Sequence, residues 1–118
     1  MKVEFLSPLR VECVNERCWV ISEDFSFSVD GEPDAVPAGT RTDFASVPRL
    51  PLAYLIAGGV SYKAPVIHDY LYTKLEDRKR ADQVFMAALK EEGVPRWKRT
   101  LMYAAVRAFG RAEFQRRP

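Results

Sequence analysis

The hydrophobic period of this sequence changes once along the chain, and that change limits the folds available to it. In FSFSV, residues 25–29, phenylalanine and valine alternate with serine, which is typical of a half-buried β-strand. Similar short runs, separated by proline, asparagine or glycine, predict strands through residues 1–45. Residues 46–60 predict a loop, and residues 61–112 have the helical period. Strands followed by helices predict an α+β fold, in which a small N-terminal antiparallel β-sheet packs against a C-terminal bundle of about three helices.

Capping and breaking residues predict where these helices begin and end. Ser61 is placed to cap the first helix, which reaches about Leu75. The second helix fits Asp77 to about Glu92, and Pro95 opens the third. Because only a short link separates the first two helices, they are expected to pack as antiparallel neighbours.

Apolar stripes predict which faces of the second and third helices are buried. On the second helix the stripe consists of Ala81, Val84, Phe85, Ala88 and Leu89. On the third helix the predicted buried face consists of Trp97, Leu101, Ala104, Ala105 and Ala108.

The length and composition indicate a soluble globular protein of one domain, residues 1–118. Hydrophobic residues make up 47% and charged residues 29% of the chain. No apolar run reaches the ~18–20 residues that a membrane-spanning helix needs. The first residues, MKVEFLSPLRVE, carry charges too early for a signal peptide, so a cytoplasmic location is expected.

Charge is unevenly distributed along the chain. Residues 1–60 hold 5 Lys or Arg and 9 Asp or Glu, whereas residues 94–118 hold 7 and 1. The basic C-terminus could meet an acidic partner, an anionic lipid or a nucleic acid, and a solvated helix face would also explain it. Nucleic acid ranks last, because nothing in the chain is suited to reading a base sequence.

Two cysteines flank a predicted hairpin turn. If the turn has two residues, Val14 pairs with Arg17 and Cys13 lies opposite Cys18, where a disulfide can form. A cytoplasmic chain would more often keep both thiols reduced, so both states remain open. The chain has no CxxC pair, which argues against a structural zinc site.

The single histidine lies in VIHDYLY and is the strongest candidate for chemistry. His68 and Tyr72 share a helix face, and Asp82 on the next helix can approach them across the antiparallel pair. A histidine oriented by a carboxylate is a common general base near neutral pH. Asp69, together with Asp43, could bind a hard cation. A structural polar pair on an ordinary amphipathic helix is the alternative.

Two arginines and one serine complete the candidate residues. Arg49 and Arg80 could clamp a carboxylate or phosphate, or pair with the buried carboxylates. Pairing is favoured, because a buried carboxylate needs compensation. A serine hydrolase built on Ser46 lacks support, since the glycine-flanked elbow of such nucleophiles is missing.

Four stretches carry a family resemblance over roughly residues 36–110. They are VPAGTRTDFASVPRL, APVIHDYLY, RKRADQVFMAALKEEGV and RTLMYAAVRAFG. This ordered set resembles domain-of-unknown-function family 1353, whose members are encoded mainly by tailed phages and prophages. The resemblance implies a phage origin, a location in the host cytoplasm or the virion, and other phage proteins as partners. It implies no established activity.

A second resemblance is local and concerns the histidine helix. HDYLY followed by AD is similar to the pattern of secreted phospholipase A2. That resemblance implies that His68 is the general base for a water, that Asp82 orients it and that Tyr72 supports the network. It also implies that Asp69 binds Ca²⁺. The disulfide framework of that family is absent from this sequence.

Two hypotheses of function follow from these residues. In the first, the protein is a small hydrolase-like enzyme that cleaves an ester or related bond with the His–Asp base and a possible metal. In the second, it is a non-enzymatic phage accessory or virion protein of the tail or baseplate. In that case a structural cluster of Asp43, His68, Asp69, Arg80 and Asp82 joins the sheet to the helices.

Overall fold

Six strands precede three helices in the computed structural model, which describes residues 1–15, 18–42, 63–74 and 77–116. The strands are β1 (Val3–Phe5), β2 (Val11–Asn15), β3 (Cys18–Ile21), β4 (Phe25–Val29), β5 (Glu32–Val36) and β6 (Arg41–Thr42). The helices are α1 (Lys63–Lys74), α2 (Arg78–Glu91) and α3 (Arg96–Arg116). The predicted α+β class is therefore confirmed. None of these helices is both long and apolar enough to cross a membrane.

The strands form two small antiparallel sheets and not the one sheet expected. The first has the order β1-β4-β5 and the second the order β2-β3-β6. Between β3 and β4, the chain passes from the second sheet to the first through residues 22–24. There the Asp24 side chain accepts a hydrogen bond from the backbone N–H of Ala38 at 2.7 Å, which ties this turn to the loop after β5. This turn lets consecutive strands join different sheets.

The hairpin between β4 and β5 is closed by a two-residue turn. Asp30 has φ 51° and Gly31 has φ 84°, and Val29 pairs with Glu32 on either side of them. Positive φ at both central residues is the geometry of the hairpin turns whose twist matches that of the strands. Phe25, Phe27 and Val29 are buried, as the alternation along β4 predicted.

The second hairpin differs from its predicted register. Cys13 lies opposite Trp19, and Asn15 lies opposite Cys18, with an irregularity between Cys13 and Asn15. The prediction that the two cysteines face each other is therefore wrong, because an extra residue on β2 shifts the pairing. Cys13 is exposed, and the side chain of Cys18 lies outside the described part of the chain.

The first two helices start and stop close to the predicted residues. Pro65 lies in the first turn of α1, and Asp77 caps α2 by accepting a hydrogen bond from the Arg80 N–H at 3.2 Å. Glu92 follows α2 and reaches back to the start of α1, where its carboxylate accepts from the N–H groups of Lys63 (3.1 Å) and Ala64 (2.7 Å). A carboxylate at a helix N-terminus also stabilises the helix dipole.

The core lies between the first sheet and the helices. α2 packs between α1 and α3, while β1 contacts α2 and β5 contacts α1. The predicted stripe of α2 is buried in full. The predicted face of α3 is wrong except at Ala105, which is partly buried against the core. Met102 and Val106 are buried instead, while Trp97 is 59% and Leu101 42% exposed.

Candidate functional site

A buried polar cluster lies where the three helices meet. α1 contributes His68 and Tyr72, α2 contributes Arg78 and Asp82, and α3 contributes Arg107. We call these five residues the Asp82 cluster, because every other member contacts that carboxylate. The contact between His68 and Asp82 across α1 and α2 agrees with the sequence prediction.

Both oxygens of Asp82 are occupied, although its side chain is 0% exposed. Oδ1 accepts from the Tyr72 hydroxyl at 2.5 Å and lies 2.6 Å from Nε2 of His68. Oδ2 accepts from Nη1 of Arg107 at 2.8 Å and lies 3.5 Å from Nη1 of Arg78. A buried carboxylate needs this number of donors, because the energy of removing it from water is otherwise uncompensated.

The hydrogen bonds keep this carboxylate ionised. Burial alone would raise the pKa of Asp82, but hydrogen bonds from His68, Tyr72 and Arg107 outweigh it, and the pKa is lowered. Burial and the neighbouring carboxylate raise the pKa of the Tyr72 phenol well above its ordinary value. The hydrogen bond to Asp82 raises the pKa of Arg107. Tyr72 therefore stays neutral and donates, and the negative charge stays on Asp82.

The ring of His68 is fixed in position and asymmetric in its bonding. It is 2% exposed, and its centroid lies 4.1 Å from that of Tyr72 and 4.7 Å from that of Phe85. Next to an ionised carboxylate, Nε2 carries the hydrogen and donates it to Asp82. Nδ1 has no hydrogen-bond partner among the described residues. In the neutral ring this places the free electron pair on Nδ1.

Arg78 braces the cluster against α3. Its Nη1 donates to the carbonyl oxygen of Val106 at 3.0 Å, and its Nη2 donates to that of Arg107 at 3.1 Å. One guanidinium therefore contacts the backbone of α3 and, at longer range, Asp82 on its own helix. This fixes the position of α3 relative to α2 at the level of the carboxylate.

Comparison with known proteins places the chain in a family. The family described as "Protein of unknown function (DUF1353)" matches residues 19–106. The chain belongs to the DUF1353 family. A relative, "Uncharacterized protein y4jT" of Sinorhizobium fredii (strain NBRC 101917 / NGR234), is 40% identical over 95 residues. That match covers 76% of this chain and 28% of the relative, so the chain spans less than a third of the relative's length. No solved structure matches.

The matched range holds most of the Asp82 cluster of this DUF1353 protein. Residues 19–106 include four members of the cluster, His68, Tyr72, Arg78 and Asp82. The fifth, Arg107, is the first residue after the matched range. The family is described as one of unknown function, so membership assigns no activity to these residues.

Among the described residues, the arginines that contact the buried carboxylate of the DUF1353 protein are Arg78 and Arg107, and Arg80 is not among them. Arg80 is exposed, and its backbone N–H donates to Asp77, the residue that caps α2. It is two residues from Asp82, which places the two side chains on different sides of α2. Arg78, four residues before Asp82, has the spacing that a helical ion pair requires and could have been recognised from it. Arg49 lies outside the described residues.

The cation site predicted for the DUF1353 protein has only one of its two ligands in the described part of the chain. Asp69 is 5% exposed and belongs to α1, whereas Asp43 and Ser46 lie outside the described residues. Among the described residues, no group of three or more His, Cys, Asp and Glu side chains could hold a metal ion. Ca²⁺ at Asp69 stays a prediction, and no step of the chemistry below is assigned to it.

Proposed function

We propose that this protein is a hydrolytic enzyme in which His68 is the general base and Asp82 holds it in position. The observation that carries the proposal is the asymmetry of the imidazole. Nε2 is bound to an ionised carboxylate at 2.6 Å, while Nδ1 has no partner among the described residues. No described residue satisfies this buried atom, and a role for it outside folding would account for that.

The proposed chemistry is the hydrolysis of an ester or related acyl bond. Nδ1 of His68 takes a proton from a water, and the hydroxide oxygen forms a bond to the acyl carbon. The Asp82 carboxylate stabilises the imidazolium through the Nε2–H group. The bond between the acyl carbon and the alkoxide oxygen then breaks, and the imidazolium returns the proton to the leaving alkoxide, so that ester and water become acid and alcohol. Tyr72 and Arg107 act as positioning residues, because they contact Asp82 and not the reacting atoms.

The first experiment is an ester screen on the purified protein and on two matched variants. His68→Gln removes the base, and Tyr70→Phe serves as the control from the same helix. The Tyr70 hydroxyl donates to Asp34 at 3.1 Å, outside the Asp82 cluster. We expect turnover to fall by about 10²–10⁴-fold in the His68 variant, the usual contribution of a general base. Turnover should persist in the Tyr70 variant.

A second measurement, NMR of the His68 ring, tests whether water reaches Nδ1. With one histidine in the chain, its imidazole signals can be followed by NMR without ambiguity, with and without Ca²⁺. A hydrogen on Nε2 and reversible protonation of Nδ1 in the folded protein would support the base. An Nδ1 that gains no proton until the protein unfolds would contradict it.

A second candidate is a non-enzymatic protein in which the cluster is a structural lock. The observation that favours it is the convergence of four side-chain donors from three helices on Asp82, with both oxygens occupied. A phage origin, a place in the virion and partners among other phage proteins belong to this candidate. Stoichiometric amounts of the chain in purified virions, measured by mass spectrometry, would favour it over the enzyme.

A further inference from the structure

Helix α3 has two apolar faces, of which the structure covers one. The inner face contains Met102 and Val106, each 1% exposed. The opposite face contains four apolar residues at helical spacing, and we call them the outer stripe. They are Trp97, Leu101, Ala104 and Ala108. Each of the four is exposed, so the described part of the molecule leaves the stripe uncovered.

The outer stripe is too regular to be a scatter of surface residues. Its members follow one another at intervals of four, three and four, which aligns them along a single line of the helix. At 1.5 Å per residue the stripe is about 17 Å long. Contiguous exposed apolar surface of this kind marks interaction sites, whereas single exposed apolar residues need no explanation.

The charge of α3 indicates the character of the partner. The helix holds six Lys or Arg residues and one acidic residue, Glu113. At the start of the stripe, Lys98 lies over the ring of Trp97 at 5.5 Å. A second copy of α3 would bring this positive charge against itself, so charge complementarity favours an acidic surface.

The small residues of the stripe indicate the shape of the partner. Ala104 and Ala108 are one turn apart, and side chains of this size let the backbone of a second helix approach closely. A helix that lies on a membrane instead needs large apolar residues along its whole lipid-facing side. The stripe offers these only at one end, in Trp97 and Leu101.

We propose that the outer stripe of α3 is a docking site for an acidic amphipathic helix of another protein. The apolar side of the partner packs along the stripe over Ala104 and Ala108, and its acidic flanks meet Arg96 and Lys98, which do not belong to the Asp82 cluster. The site is independent of the hydrolytic chemistry, because no residue of the stripe belongs to the Asp82 cluster.

The test uses a designed helical peptide of about 20 residues with a Leu/Ala seam flanked by glutamate. Its counterpart has lysine at the flanking positions. Binding is followed by NMR shifts of the protein backbone. We expect saturable binding of the glutamate peptide with shifts along α3, weakening between about 0.05 and 0.5 M salt. The lysine peptide should not bind. Failure of the glutamate peptide to bind, or equal binding of both peptides, would overturn the proposal.

Two substitutions locate the site and identify its occupant. Leu101→Glu should weaken peptide binding at least about tenfold, whereas Leu6→Glu is the matched control, since Leu6 is 53% exposed outside α3. Ala104→Leu keeps the stripe apolar but obstructs a close helix, so it should also weaken binding. Tighter binding of that variant to anionic vesicles than to the peptide would assign the stripe to a membrane. Dimerisation of the unchanged protein that Leu101→Glu abolishes would assign it to a second copy, and either result would refute the helix partner.

Discussion

The substitution Asp82→Asn tests how much of the fold depends on one buried charge. The change is nearly isosteric, so it alters bonding and charge without opening a cavity. Asparagine has one acceptor oxygen, whereas the carboxylate has two. Its amide nitrogen is a donor, and it would face side chains that are themselves donors. If the asparagine oxygen takes the place of Oδ1, Arg78 and Arg107 both lose their acceptor on residue 82. If it takes the place of Oδ2, His68 and Tyr72 face the amide N–H groups instead of an acceptor.

The expected cost follows from burial. Removing one member of a buried ion pair costs about 3–5 kcal/mol, because the other charge stays buried without compensation. Here the arginines retain some hydration, with Arg107 33% and Arg78 18% exposed, so the lower end of that range applies. We therefore expect a loss of about 3 kcal/mol in the free energy of unfolding, a large part of the ~5–15 kcal/mol typical of a domain.

Equilibrium urea unfolding followed by circular dichroism measures this loss. At a slope of about 1–3 kcal/mol per molar urea, the midpoint should fall by about 1–3 M. The control is Asp34→Asn, since Asp34 also accepts from a tyrosine and a basic side chain but is 32% exposed. That control should cost less than about 1 kcal/mol. Equal losses in the two variants would refute the reasoning that burial makes the Asp82 cluster important.

Three further outcomes are expected from residues of the fold. Because the fold lowers the pKa of Asp82, its contribution to stability is present above the ordinary value of 3.8 and is lost as pH falls through the folded value. Between pH 3.8 and the lower pKa of the folded state, the stability of Asp82→Asn should therefore depend less on pH than that of the unchanged protein. The pKa of Tyr72 is raised, so its contribution is complete below pH 10.0 and is lost at higher pH. Absorbance titration should show one tyrosine fewer that resists ionisation in Tyr72→Phe. Gly31→Ala should cost about 1–2 kcal/mol in thermal unfolding, because φ is 84° and only the backbone conformation opposes a side chain there.

The sequence could predict the contact between His68 and Asp82 because it depends on local rules. Two helices with a short link must pack antiparallel, and counting turns from the link places these residues at a similar level. Asp77 and Pro65 supply the start signals that fix the helix bounds. The contact of Arg78 could have been predicted by the same rules, since Arg78 is one turn from Asp82 on the same helix.

Arg107 could not be placed in this way, because its contact depends on the rotation of α3 about its own axis. Both faces of that helix carry apolar residues. In the sequence, the face that contains Trp97 and Leu101 looks the more hydrophobic of the two, although it is the exposed one. The amphipathic period alone therefore selects the wrong face. The face that is buried follows from the packing of α3 against α1 and α2, which places Met102 and Val106 in the core.

The register of the hairpin between β2 and β3 was unpredictable for a related reason. An extra residue in one strand changes which residues lie opposite each other, and no turn residue in the sequence marks it. Cys13 therefore faces Trp19, although the symmetric count of residues places it opposite Cys18.

Glu92 has a consequence for the order in which the helical half of the protein opens and closes. Its carboxylate binds the first N–H groups of α1, although it lies 28 and 29 residues further along the chain. The linker between α1 and α2 joins one end of this helical hairpin, and Glu92 joins the other. Fraying of the first turn of α1 therefore requires movement of the residue that ends α2, and loss of the last turn of α2 uncaps α1. Two helix ends that would fray separately in isolated helices become one cooperative unit of local unfolding.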